Sequence, residues 1–553
     1  MKNFLHSALL FAIFLCSTQL FAQVPGWEWI ERGSAQGYVY ATGIDIDETG
    51  NVYAGMSYQS YFSLGGASVL NNQRDPDPGF YKLDATGKAQ WAKKLHSKGT
   101  DRNRSFCLDA DGRSYVLITI TNTMTISGVE YSSANGAFVL LAYKPSGELR
   151  WAQQMKLSNA GGLAINANNE LSFTGSYYDT LSWAGKEYIQ PQQYMSFVAA
   201  FDLEGKELWL QELVSGTSSI FSPIETEDAY YTYIVPSRSD TISIVGSDVE
   251  ILPTESREYH ICSFTKDWKL NWTRVMASSS ENSSPILLYG MVANSTAGIY
   301  TYGRVIEDLL VDGKEYPTTT ESSGCADGFM VRLDKSGSTQ KVATLGSKVS
   351  CDNIYSMEIG SDDKIYMAGA SSTTISYEDL TISLPKGGAF LVKMDTDLKP
   401  LWYVRALGES NGSDLSISDI AINKKNDLIV MGRYNVDVDF GDTSFVYTGP
   451  GANKYIFVAK VYNDFTDAID PVENRKMVSN IFPNPGNGVF NVGVQGTGRV
   501  SVSVSSINGQ QLWSRQIEVE EGNVPVQFKA DPGVYLVTVQ TEREMMTYRY
   551  ILR

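Results

Sequence analysis

An all-β fold is what this sequence predicts, and three observations predict it. Apolar residues alternate with period two, the alternating runs are punctuated by Asp-x-x-Gly and Asn turns, and related segments return about every sixty residues. The recurring unit is FYKLDATGKAQWAKKL, Phe80 to Leu95. Relatives run FVLLAYKPSGELRW from Phe138, FVAAFDLEGKELW from Phe197, HICSFTKDWKLNW from His260, FMVRLDKSGSTQK from Phe329 and FLVKMDTDLKPLW from Phe390, with a half-copy, FVAKVYNDF, from Phe457. Each reads as an apolar strand, a turn in which Asp bonds its own backbone and Gly supplies positive φ, and a second strand entered through Trp.

The chain opens with MKNFLHSALLFAIFLCSTQLFA, Met1 to Ala22, which has one Lys, an apolar run too short to span a bilayer and a small residue before Gln23. This is a secretory signal pattern, with cleavage expected between Ala22 and Gln23. Leu15 stands where lipoprotein processing at Cys16 wants a small residue. No later stretch approaches 18 apolar residues, so no transmembrane helix is expected.

Cys107, Cys262, Cys325 and Cys351 then remain in a compartment where disulfides persist, and they lack the close paired spacing of a zinc site. Only His96 and His260 follow the signal, which speaks against histidine catalysis or a multi-histidine metal centre. A net charge of -17, without a basic patch, excludes a nucleic-acid partner, because such binders need clustered Lys and Arg to displace counterions.

Residues 23–464 are the repeat region. Its fourth-strand Trp positions, 29, 91, 151, 209, 272 and 402, with Lys341 standing in for one of them, step by 62, 60, 58, 63, 69 and 61. Between them lies a second hairpin: IDIDETGNVYAG from Ile44, FCLDADGRSYVL from Phe106, LAINANNELSFTG from Leu163, MEIGSDDKIYMAG from Met357 and IAINKKNDLIVMG from Ile420. First, second and third strands each occur seven times, but the last third strand has no Trp strand after it. The missing strand is WEWIERG, Trp27 to Gly33, at the other end. A ring in which it completes the last unit leaves no sticky edge, so the prediction is a seven-bladed β-propeller closed by an N-terminal strand.

This topology sorts the loops. Second-to-third links and blade-to-blade links emerge on one face, and the hairpin turns on the other. Several links are enlarged, with LSWAGKEY from Leu181, LLVDGKEY from Leu309 and VDFGDTSF from Val438. Enlarged links either cover blade edges or carry binding. Cys325 and Cys351 fall on the link face of adjacent blades and are the candidate disulfide pair. DIDETG and DADG, with Asp45, Asp47, Asp109 and Asp111, alternate carboxylates as calcium loops do, yet lack the closing Glu; hairpin turns explain them without a metal. The regular recurrence of Trp indicates packing between blades, not sugar platforms.

The repeat stretches GNVYAG and FVAKVYN resemble the bacterial β-propeller repeat family of large exported proteins, which implies a scaffold and no particular activity. The outline is also similar to quinone-dependent propeller enzymes, but no residues here suit that cofactor, and none is expected. After a polar linker, 465–478, residues 479–553 alternate with period two and predict a small β-sandwich of six or seven short strands. Pro483, Asn484, Pro485, Gly488 and Phe490, then Gly533 and Tyr535, and the basic final residue Arg553, resemble the C-terminal sorting domain of type IX secretion. The resemblance implies a Bacteroidota-type bacterium, the type IX machinery and its sorting protease as partners, and a secreted or surface location. Asp179-Thr180-Leu181 and Asp240-Thr241-Ile242 resemble short O-glycosylation sites of that group.

The expected function is a noncatalytic exported scaffold that binds a glycan or protein through its long-loop face, with no catalytic and no metal residues assigned. A propeller hydrolase or lyase with converging carboxylates in its funnel is the alternative, and a passive surface protein a third.

Overall fold

The computed structural model describes residues 26–463 and 478–553, apart from positions 71–74, 96–98, 133–136, 167, 217, 222, 237–240, 253–256, 281–284, 295, 297, 320–324, 379, 410–413, 442, 448–454, 483, 485, 507–509 and 541–544. Among the described residues every regular element is a strand. The chain divides into two compact units between Ile469 and Asp470.

The first unit is built from antiparallel sheets that follow one another along the chain. Sheet one joins Val39–Ile46, Val52–Tyr58, Asp77–Leu83 and Ala89–Lys94, and sheet two joins Arg102–Leu108, Ser114–Ile120, Ala137–Tyr143 and Leu149–Met155. Sheets three to six repeat the pattern, starting at Asn159, Ser218, Ile286 and Asp352. In sheet seven, Ser416–Ile422, Leu428–Tyr434 and Tyr455–Val461 are followed not by the next segment of chain but by Trp27–Arg32, whose Ile30 faces Ala459. Second and third strands are buried, as in VYAGMSY and AFVLLAY, because sheets on both sides cover them, except where those of sheet three run on into an exposed hairpin. Fourth strands such as Ala89–Lys94 are half-buried.

Neighbouring sheets are joined by the recurring Trp. The indole N–H of Trp29 donates to Ala85 O (2.9 Å), Trp91 to Pro145 O (2.9 Å), Trp151 to Leu203 O (3.0 Å) and Trp272 to Lys335 O (2.9 Å), each acceptor lying in the third-to-fourth turn of the next sheet. The Gly of that turn has positive φ and lies against the ring: a Cβ on Gly205 would sit 2.8 Å from Trp151. At two other joints both partners change together. Where Trp268 holds the turn position, Trp209 donates instead to Glu170 (3.0 Å), and where Lys341 replaces Trp, the turn residue is Leu398, at φ 62 and wholly buried.

The enlarged links cover edges. Ile242–Ile244, from the link of sheet four, pairs with the outer strand Glu207–Ser215 of sheet three. Leu309–Val311 pairs with Leu270–Ser278, and Val438–Asp439 with Pro400–Gly408. These three link hairpins thus extend the preceding sheet and hide its free backbone groups, whereas LSWAGKEY, from Leu181, prolongs the second and third strands of its own sheet.

In the second unit, five strands replace the expected six or seven short ones. Val489–Ser506 and Gln511–Gln527 are single long strands whose pairing shifts register between Val494 and Thr497, so stretches that alternate separately in sequence run through one ladder. Gly533–Gln540, Met545–Leu552 and Val478–Phe482 complete the sheet around Phe490, Val502, Val537 and Tyr550.

Candidate functional site

First strands of successive sheets lie side by side, and six of them carry a β-bulge at nearly the same height. Pairing skips Thr42, Arg104, Gly162, Tyr289, Tyr355 and Ser418. A bulge turns its residue away from the ladder and breaks the regular side-chain alternation. Beside the bulges, short side chains reach across to the next first strand. Asp419 Oδ2 accepts from Ile44 N (2.9 Å), Asp45 Oδ2 from Leu108 N (3.1 Å), Ser105 Oγ from Leu163 N (2.9 Å) and Ser356 Oγ from Ile420 N (3.2 Å). These clasps tie sheet seven to one, one to two, two to three and six to seven.

Burial pushes the carboxyls along this lining upward. Asp45 is raised to about 7 and Asp419 to about 6, each held back by the amides it accepts from. Glu358 is raised to about 8, by burial first and then by Asp419 and Asp45, and only the amide of Ile359 opposes the shift. It borders a cavity of about 530 Å³ with Met291, Asn294, Ser361 and Asn423, at the end where the hairpin turns lie.

The opposite end, where first strands begin, is lined differently. A cavity of about 230 Å³ lies between Thr42, Tyr289, Tyr302, Tyr355, Ser418 and Asp419. The Tyr289 and Tyr355 rings are 5.4 Å apart. Burial raises both phenols, and the charges of Arg304 and Arg433 oppose it at each. Those arginines hold the same place, directly after Gly303 and Gly432 in the second strands of sheets five and seven, on either side of sheet six. Arg433 Nε lies 3.2 Å from Asp414, whereas Arg304 has no carboxylate partner among the described residues. Tyr38 and Tyr40, 45% and 52% exposed with ring centres 6.4 Å apart, flank Val39 at the start of the first strand of sheet one.

The sequence-predicted positions distribute as follows. Ala22 and Gln23 lie outside the described residues, as do Pro483, Pro485, His96 and Asp240. Cys325 and Cys351 form a disulfide, with Cα atoms 4.6 Å apart, while Cys107 and Cys262 are free thiols. The Asp-rich turns close on themselves. Asp47 accepts from Thr49 N and Asn51 N, and Asp109 from Asp111 N and Arg113 N. Asp45 serves a clasp instead. Thr180 is exposed on the hairpin of sheet three. Sequence reading missed Glu358, Tyr289, Tyr355, Arg304 and Arg433. The available signal was the paired Gly303-Arg304 and Gly432-Arg433 against Gly369-Ala370 between them.

In the second unit the remaining motif residues meet on the last strand. Asn484 Nδ2 donates to Arg549 O (2.6 Å), its Oδ1 accepts from Ile551 N (2.9 Å), and Arg553 N donates to Gly486 O (2.9 Å). Gly488, at φ 88, donates to the Tyr550 hydroxyl, and a Cβ there would strike Phe528 O. Phe490 packs 4.4 Å from Tyr550, and the Tyr535 hydroxyl, two residues after Gly533, donates to Asp531 O (2.5 Å).

No curated protein matches the chain. Among solved structures it overlaps the Dos1 propeller at 9% identity and TM-score 0.37, covering 79% of this chain and 95% of that one. A protein of unknown function from Bacteroides caccae overlaps at 8% identity and TM-score 0.29 (58% and 92% covered). A fungal alcohol oxidase of the AA5 family, in complex with copper, overlaps at 10% and 0.35 (96% and 100%). Likeness at this level carries no argument, and the strand pairings stand on their own. Residues 480–553 match the family described as the secretion system C-terminal sorting domain. The chain therefore ends in a sorting domain of type IX secretion, which directs the protein to the cell surface or out of the cell.

Proposed function

We propose that residues 23–464 form a seven-bladed propeller closed by Trp27–Arg32, and that it is a noncatalytic scaffold binding a glycan or protein at the mouth lined by Tyr289 and Tyr355. The observation that carries this reading is the engagement of Asp45 and Asp419. Clustered acids in a funnel are what a hydrolase would need, but both accept backbone amides from a neighbouring first strand, which is a structural task. Three link hairpins are taken up in covering sheet edges, and the mouth is the aromatic-lined recess left for binding in this proposal.

A second reading has one observation in its favour: Glu358, raised to about 8 beside a cavity, suits a proton donor at neutral pH. Incubating the purified protein with a glycan array and a panel of chromogenic substrates separates the two. Array binding that Tyr289→Ala and Tyr355→Ala abolish, without turnover, is the expected result. Turnover that disappears in Glu358→Gln would overturn the noncatalytic reading.

Export begins, in this proposal, with cleavage between Ala22 and Gln23, and the sorting protease acts on residues 479–553 after the 465–478 linker. Deleting Ser479 to Arg553 is expected to trap the protein in the periplasm. Unchanged surface appearance would contradict it.

A further inference from the structure

The whole chain carries a net charge of -17, yet arginine gathers at one opening. Arg304 and Arg433 occupy equivalent strand positions on either side of sheet six, next to the Tyr289 and Tyr355 bulges of sheets five and six. Arg102 and Arg104, exposed near the start of the first strand of sheet two, stand at the same end of their sheet. Arg104 has no carboxylate partner among the described residues. Arg104 and Arg304, without a carboxylate partner among the described residues, stand with Arg433, which pairs with Asp414, and in a negative protein such guanidinium groups focus positive potential on that opening and attract an anion there.

The shape narrows the ligand further. A cavity of about 230 Å³ is smaller than the ~300–1,000 Å³ of drug-sized pockets, so it admits one ring of a chain and not a folded partner. Its lining is the Tyr289, Tyr302 and Tyr355 rings, the small hydroxyls of Thr42, Ser356 and Ser418, and the Asp419 carboxylate, whose oxygens are already engaged by Ile44 N, Ile420 N and Ser356 Oγ. Planar apolar faces, scattered hydroxyl partners and fork-shaped cations together fit a pyranose that bears an acidic group.

We propose that the mouth binds an acidic saccharide, a carboxylated or sulfated sugar chain, with a ring against Tyr289 and Tyr355 and its anionic group on Arg304 and Arg433. This rests on the mouth being the binding surface. Calorimetric titration of the full chain tests it with four probes: oligogalacturonate, a sulfated galactan oligosaccharide, neutral maltohexaose and poly-glutamate. The acidic sugars should bind, and more weakly as salt rises. The double variant Arg304→Gln/Arg433→Gln should lose about tenfold to hundredfold in affinity. Arg304→Lys, which keeps the charge, controls for folding together with a thermal melt. Equal binding of maltohexaose, with the arginine variants unaffected, overturns the acidic assignment and leaves the binding surface standing. Tighter binding of poly-glutamate overturns the saccharide in favour of an acidic peptide. Silence from all four probes overturns the proposal, and a silent glycan array with it overturns the binding surface as well.

Discussion

The outer joints and the inner lining of the first unit solve the same problem by opposite means. Outside, Trp29, Trp91, Trp151 and Trp272 meet the next turn through the same indole bond and the same glycine contact. Inside, equivalent positions hold Gly43, Ser105, Gly290, Ser356 and Asp419, and the clasps are made now by an acid, now by a hydroxyl. The periphery repeats because one packing solution must work between every pair of sheets. The lining varies because a clasp needs only a short acceptor within reach of the next strand, so no one residue type is demanded there. At two joints both members change, Trp209 with Trp268 and Lys341 with Leu398, as expected if joint and turn are one unit.

That comparison can be broken at several strengths. Deleting Trp27–Gly33 exposes the edge of Tyr455–Val461 and should have the largest effect, loss of soluble protein or of a cooperative melt. A melting temperature within a degree or two of the parent would show that the pairing is dispensable. Next comes Trp151→Ala, expected to remove about 3 kcal/mol by losing ring packing and the bond to Leu203. Gly205→Ala should cost about 1–3 kcal/mol, because its φ of 88 is strained for any side chain and the added Cβ meets Trp151. If joint and turn are one unit, the two losses will not add in the double variant. Inside, Asp419→Ala leaves Ile44 N without its acceptor, for about 1–3 kcal/mol by denaturant titration. A loss as large as that of Trp151→Ala would mean the clasps, not the Trp joints, hold the sheets together.

The same contrast decides what could be read in advance. Counting strands anticipates the pairing of Trp27–Arg32 with the last half-copy, because each sheet needs four strands and the residues that build them recur. The mouth is not legible, since Tyr289, Tyr355, Arg304 and Arg433 come from segments far apart and sit at or near bulges where no residue type is fixed. Asp45 misleads for a related reason: DIDETG looks like one turn, but only Asp47 closes it, while Asp45 faces the neighbouring strand. In the second unit, Val489–Ser506 and Gln511–Gln527 read as several strands because period two is lost where the register shifts.

The smallest expected effect is also the most specific to the lining. Asp45, Asp419 and Glu358 bind protons more tightly when folded than when unfolded, so between about pH 4 and pH 8 the native state holds the excess protons. Their contribution is complete below the usual carboxylate range and is lost as pH rises through about 6 to 8. Asp47 runs the other way: hydrogen bonds from Asn51 and Thr49 outweigh its burial and hold it low, so its contribution disappears only in acid. Glu358→Gln removes a charge that burial disfavours without cutting a clasp. It should therefore melt about 1–3 °C above the parent at pH 9 and coincide with it at pH 5. Asp419→Asn would confuse the two roles, since its amide can disturb the bond from Ser356. Parallel melting curves for Glu358→Gln and the parent across that range would mean water reaches Glu358 freely, and that the lining is an open passage and not a closed seam.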